Sequence, residues 1–233
     1  MSDQSKERQT LPSKKIPFKQ ECEFAAVTNY PSPISDHFNL NNEEKIDIIE
    51  DHFRQIMHTL GLDLTDPSLA KTPRRVAKMY VQEVFSGLDT RTFPTISFVP
   101  DQFYGEEGPN LVMVKVEFTS FCEHHFVPMQ GTAHVAYLPN GQLIGLSKIA
   151  RVVRFFARRP QLQERLTAQI ADSISILLDT DHVAVSLTAT HHCVMARGVE
   201  DQAGNATTQI LKGNFKSNET LRRQFLNGIR QKT

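Results

Sequence analysis

The sequence has no run of about eighteen apolar residues, so it offers no transmembrane helix. Its first residues, MSDQSKERQT, have no apolar core and do not read as a secretory signal. Cysteine is scarce: three in 233 residues, too few for a disulfide framework. Charge of one sign is not in excess either. Lys plus Arg and Asp plus Glu both number 26, which leaves a formal net charge of zero. That balance gives the chain no general attraction for nucleic acid or for an anionic membrane, and neither is expected as a partner. Any anion site has to be a local basic cluster. Two of the three cysteines sit beside histidines, which points to metal binding or catalysis in a reducing compartment. The cytoplasm is the expected location. Hydrophobic residues make up 39% of the chain, enough for one sizeable core.

What is present divides at about residue 40. Residues 1–40 are polar, hold no period and are punctuated by Pro12, Pro17, Pro31 and Pro33. They are expected to form a flexible extension, with Cys22 a bystander in it. Residues 41–233 are expected to form one domain, with a helical part over 41–90 and a sheet-containing part over 91–233. Ile46, Ile49, Phe53, Ile56 and Leu60 recur at helical spacing, and Gly61 suits the position just past that helix. Thr72-Pro73 announces a second helix, with Thr72 as N-cap and Pro73 in the first turn. Val76, Met79, Tyr80 and Val84 are its apolar stripe, Gly87 its stop, and Arg75 and Lys78 share one of its faces.

The period then changes. Val112, Val114, Val116 and Phe118 alternate with polar or longer side chains, as in a half-buried strand. Residues 131–138 read as a second strand, followed by a hairpin signal at Asn140-Gly141. Helices are predicted over 147–158 and 161–178, with Pro160 between them. Val183, Val185, Leu187 and Ala189 mark a third strand, residues 207–212 a fourth, and a last helix starts near Ser217. Strand pairs alternating with helix pairs predict an α+β fold with an antiparallel sheet.

Two clusters carry the chemistry. Cys122-Glu123-His124-His125 and His191-His192-Cys193 each follow a predicted strand. Cys-x-x-His is a good local chelate for zinc through thiolate and imidazole, and Cys193 can supply a third ligand. Three protein ligands leave a fourth position for water, as in a catalytic zinc site. A fourth ligand from His191 or His192 would instead close a structural site. Four histidines around two cysteines exceed what either metal role needs, and the surplus suits proton transfer near neutral pH.

Cationic residues lie in the neighbouring motifs. Ser147 and Lys148 open a helix, whose first-turn N–H groups favour anions, and Arg151 follows three residues on. With Arg197, Arg75 and Lys78 they make a candidate polyphosphate cradle, although each alone is more often a solvated surface charge. Gln163-Glu164 opens the next helix. Its carboxylate can complement the helix dipole, or accept two N–H groups from a guanine edge.

Taken together, TPRRVAKMY at Thr72–Tyr80, CEHHFVP at Cys122–Pro128, IGLSKIARVVRFFARRPQLQERLT at Ile144–Thr167 and HHCVMARGV at His191–Val199 resemble the GTP cyclohydrolase I family. The resemblance runs from about residue 43 to residue 230 and leaves the N-terminal extension outside it. It implies a tunnelling fold whose sheets join into a barrel in a homodecamer. It implies a Zn2+ ion held by Cys122, His125 and Cys193, with His124 and His191 handling protons. Glu164, with Gln163, would recognise guanine. Ser147, Lys148, Arg151 and Arg197 would lie along the ribose and triphosphate, and Arg75 and Lys78 would reach the triphosphate from another subunit. The implied reaction converts GTP and water to 7,8-dihydroneopterin triphosphate and formate, on the way to folate or tetrahydrobiopterin. No stretch identifies a regulatory protein partner, and His192 receives no role.

Two other kinds of protein compete. Another tunnelling-fold enzyme would use either an all-histidine zinc site, as pterin synthases do, or a cysteine nucleophile with a nicotinamide, as nitrile reductases do. A zinc-stabilised binding module would need a closed four-ligand site. The pattern Cys-x-x-His plus a distant Cys, with spare histidines, speaks against all three.

Overall fold

A capping box fixes where the described helices begin. In the computed structural model, residues 40–102 and 111–230 are described, so the expected extension and Cys22 lie, apart from Leu40, outside the described residues. Helix α1 (Asn42–Thr59) starts after Asn41, whose side chain accepts from the Glu44 N–H while the Glu44 carboxylate accepts from the Asn41 N–H. Gly61 follows it with φ of 80°, the left-handed conformation expected just past a helix. Helix α2 (Thr72–Lys78) packs against α1 over buried Ile46 and Met57, and Arg74 reaches Glu43, Asp47 and Glu50 of α1.

Two local expectations for α2 fail. Thr72 is already helical rather than the cap, since Lys71 takes the cap position without a side-chain bond. The helix also widens into a π-turn over Met79–Val84, short of Gly87. Gly87 is a close-packing position instead of a helix stop. Its N–H donates to the Arg158 carbonyl, its own carbonyl accepts from Arg159 Nε, and a Cβ there would collide with the Phe155 carbonyl oxygen. Arg159 is itself buried against the Phe155 and Phe156 rings, and burial pushes its pKa down to about 10.

The four predicted strands, with an unpredicted two-residue strand at Pro160–Gln161, form one five-stranded sheet. In chain order these are β2 (Val112–Cys122), β3 (Pro128–Tyr137), β5 (Pro160–Gln161), β6 (Val183–His191) and β7 (Ala206–Leu211). Their spatial order is β5-β2-β3-β6-β7, antiparallel except for the two residues of β5 beside Phe121 and Cys122. The Asn140-Gly141 signal marks a turn, with Gly141 at φ of 78°, but not a hairpin of this sheet. The chain leaves β3 for β4 (Gln142–Ile144), which pairs with β1 (Phe98–Pro100) in a separate ribbon. Both edges of β3 are already taken by β2 and β6, so a returning strand has no place beside it.

Helices α3 (Leu146–Ala157) and α4 (Gln163–Leu178) cover one face of the sheet. Val116, Phe118, Met129, Val135, Tyr137, Val185 and Leu187 meet Ile149, Val152, Phe156, Leu166, Ile170 and Ile174 there, all buried. Helix α4 starts two residues later than predicted because Pro160 and Gln161 are held in the sheet by β2. The short helices α5 (His192–Met195) and α6 (Asn214–Ser217) and the last helix, α7 (Glu219–Arg230), complete the order. Phe215, Leu221 and Phe225 of α6 and α7 pack on Ala136 and Ala184, at one end of the other sheet face. The rest of that face carries Lys115, Glu117, Thr132 and Thr207, and no helix packs over it among the described residues.

Candidate metal centre

The two sequence clusters meet because β2 and β6 end, and β3 begins, at the same end of the sheet. Cys122 is the last residue of β2, and the chain turns through 123–127 into β3. The turn is closed by two backbone bonds, Cys122 N–H to Val127 and Phe126 N–H to Cys122. It requires φ of 54° at Phe126, an uncommon conformation for a non-glycine residue. Ring contacts with Phe85 (centroids 5.1 Å apart) and Tyr80 (6.3 Å) hold Phe126 in place. The antiparallel register sets Met129 opposite His191, so the end of β6 delivers His191, His192 and Cys193 beside this turn.

Cys122, His125 and Cys193 form a group whose ligand atoms all lie within 4.8 Å of one another. Cys122 Sγ is 3.8 Å from His125 Nδ1 and 3.9 Å from His124 Nδ1. Cys122 is buried, Cys193 is half-buried and His125 is exposed, so the group sits in a wall with one open side. Burial raises the Cys193 thiol pKa, and the Cys122 sulfur beside it adds to that effect. Two sulfurs and one imidazole nitrogen suit a zinc ion, and three protein ligands would allow water as a fourth. His192 is not part of this group.

Other predicted residues gather around it. Arg197 Nη1 lies 2.9 Å from His125 Nε2. His191 Nε2 lies 2.7 Å from Gln163 Oε1, and burial lowers the His191 pKa against an opposing pull from Glu164. Glu164 is exposed in the first turn of α4, with its carboxylate near His191, and no side chain caps that helix. Gln163, expected beside guanine, is buried, and its amide is engaged by protein atoms. The sequence also gave no reason to pair Glu123 with Arg165. Their salt bridge, with oxygens at 2.5 and 3.4 Å, clasps the metal turn to the first turn of α4. Opposite charges in the two motifs were the only signal, and 42 residues separate them.

Ser147, Lys148 and Arg151 are not brought to the metal group. Tyr137, at the far end of β3, accepts at its hydroxyl from the Ile144 N–H, so α3 begins at the end of the sheet opposite the metal turn. From there α3 runs back toward Pro160 beside Phe121. Ser147 therefore lies about 15 Å of helix away from the metal end. Arg75 and Lys78 are exposed on α2, and no contact ties them to the group. A cleft of about 570 Å3 between α1, the π-turn and Phe126 adjoins the metal turn, but its lining is largely apolar and includes none of the three ligands.

Residues 49–230 match the family model described as GTP cyclohydrolase I. The chain belongs to the GTP cyclohydrolase I family. It is 54% identical over 192 residues to GTP cyclohydrolase 1 of Aeromonas salmonicida, covering 82% of this chain and 87% of that one. It is also 54% identical over 188 residues to GTP cyclohydrolase 1 of Vibrio cholerae, covering 80% and 85% of the two chains. Among solved structures, it is similar to the apo form of the archaeosine synthase QueF-Like, with a TM-score of 0.39 and 17% identity over 46% of this chain and 97% of that one. Similarity at that level adds nothing to the assignment. The family membership rests on the sequence match, and the Cys-His-Cys group fits the zinc dependence of the GTP cyclohydrolase I family.

Proposed function

We propose that this chain is a zinc-dependent hydrolase that converts GTP and water to 7,8-dihydroneopterin triphosphate and formate, working in the cytoplasm as a homo-oligomer, a decamer. The observation that carries the reaction is the three-ligand group with an open side, set beside His191, in a chain of this family. Cys122, His125 and Cys193 hold the ion. A zinc ion there, when bound, supplies a Lewis acid that makes water a usable nucleophile near neutral pH.

The chain's own groups do the rest. The Glu164 carboxylate accepts from the N1–H and the 2-amino group of guanine, which orients C8 toward the ligand group. His191 and His124 move protons as the imidazole ring opens and as C8 leaves as formate. The ribose carbons then close the new six-membered ring. Arg197, already at His125, takes part of the triphosphate, which is bound but not cleaved.

Ser147, Lys148 and Arg151 serve the ribose and triphosphate of a neighbouring subunit's site, as do Arg75 and Lys78. The distance along α3 supports this, because a ribose bonded to the purine stays within one sugar's width of C8. The sheet supports assembly too. From Val112 to Ser120, β2 has no outer partner strand among the described residues, and β7 is the opposite edge. Joining such edges between subunits closes a barrel. Incubating the zinc-loaded protein with GTP tests the reaction: formate and a fluorescent pterin after oxidation are expected, and their absence would refute it.

A further inference from the structure

We infer that Gln163 is a positioning residue for His191, holding the imidazole as the tautomer with hydrogen on Nε2, rather than a contact to guanine. This deepens the proposed function, since it rests on His191 as a proton-transfer group. The support is the direction of every hydrogen bond around the Gln163 side chain, which is only 3% exposed. Its Nε2 lies 3.2 Å from the Leu187 carbonyl oxygen, 3.0 Å from that of Ala206 and 3.1 Å from Thr208 Oγ1. Carbonyl oxygens only accept, so the atom facing them has to be the amide nitrogen. A flipped amide would set its oxygen against two carbonyl oxygens in a buried place.

The amide oxygen is then the atom 2.7 Å from His191 Nε2. It too only accepts, so Nε2 has to carry the hydrogen. Nδ1 is left as the nitrogen that exchanges protons with substrate. Two threonines complete the network. Thr167 donates its hydroxyl hydrogen to the Gln163 backbone carbonyl at 2.7 Å, so its oxygen accepts from the Thr208 hydroxyl at 2.6 Å. The Thr208 oxygen in turn accepts from Gln163. Strands β6 and β7 thus fix the nitrogen side of the amide, and Thr167 of α4 holds Thr208 in place. The amide's two hydrogens are spent on the protein, and none remains to bind a purine.

Gln163→Met tests this, because it keeps the length and apolar bulk of the side chain but offers His191 no acceptor. Zinc content and KM for GTP should stay within about twofold of the parent, while kcat for formate release falls about ten- to a hundredfold, as when a group that orients a site histidine is lost. In 15N-histidine-labelled protein without substrate, the His191 ring should change from the single Nε2–H tautomer to a mixture of both. Thr208→Val, which does not touch His191, should move kcat and the tautomer in the same direction by less, and it carries the test if Gln163→Met does not assemble. A raised KM with unchanged kcat, or an unchanged tautomer in the variant that folds, would overturn the assignment. The tautomer is read without turnover, so a parent that releases no formate would refute the GTP reaction and leave this inference standing.

Discussion

The layout of α3 makes a quantitative prediction about mixed assemblies. Strand β3 carries the chain about 30 Å away from the metal turn over its ten residues. Helix α3, twelve residues long, brings it back by about 18 Å. Lys148 is at the start of that return, so its own metal group is out of reach for a residue that touches the ribose end of the triphosphate. Cys122→Ser and Lys148→Ala should then damage different halves of a shared site. Each variant alone should be weak, the first for want of metal and the second for want of a triphosphate contact. In oligomers assembled at random from equal amounts of both, a site is intact when an unaltered metal half meets an unaltered Lys148. One half times one half gives about a quarter of the sites, and so about a quarter of the parent's formate release, from two nearly inactive parts. The assay compares co-expressed, tag-verified heteromers with the two variants purified separately and pooled without exchange. If Lys148 served its own chain's site, every chain would carry a defect and no gain would appear. Heteromers no more active than the pooled variants would refute the shared site.

Three further outcomes follow from particular contacts. Cys122→Ser replaces a soft ligand with a poor one, so zinc content measured by metal analysis should fall together with ring opening; full occupancy with normal turnover would remove Cys122 from the ligand set. Glu164→Ala should weaken GTP binding by about tenfold or more while leaving inorganic triphosphate binding within about twofold, because only the guanine edge loses its acceptor; equal losses in calorimetry would return Glu164 to a helix-dipole role. Gly87→Ala has to push a methyl group against the Phe155 carbonyl oxygen, with the Arg158 oxygen 2.9 Å away, and should destabilise the protein by about 1–3 kcal/mol in denaturant unfolding; an unchanged midpoint would show that the segment 86–88 shifts freely.

Most of the fold was legible because it is written in local periods. The alternation at 112–118 and the helical spacing at 46–60 each survive into the elements observed. The departures share a cause: a distant segment decides. Asn140-Gly141 makes a turn, but which strand it serves depends on β2 and β6 having filled both edges of β3. Gly87 looked like a helix stop, yet its reason is the backbone of residues 155–158 lying against it. The Cys122, His125 and Cys193 group was legible because Cys122 and His125 are close in sequence and Cys193 follows a predicted strand. The use of Gln163 was not, since Leu187, Ala206 and Thr208 lie 24 to 45 residues away and reach it only through the sheet.

The position of the metal group gives the proposed assembly a reason beyond symmetry. Among the described residues β7 and most of β2 each have one side without a partner strand, which leaves rows of N–H and C=O groups that either bond to water or recruit another strand. The uncovered face, with Lys115, Glu117, Thr132 and Thr207, is polar enough to face water inside a closed barrel but gives no apolar surface for another helix. Closing the edges between subunits would satisfy the first need without burying that face. The same closure would set one chain beside its neighbour, and with it the start of α3, which the chain's own fold keeps at the opposite end of the sheet from the metal turn. The metal ligands, by contrast, all come from one chain and need no neighbour. Metal binding should therefore belong to the subunit and GTP turnover to the assembly. The salt bridge of Glu123 with Arg165 fits that division: it ties the metal turn to the Glu164 helix inside one chain, so that of the proposed site only Ser147, Lys148, Arg151, Arg75 and Lys78 would be supplied from outside.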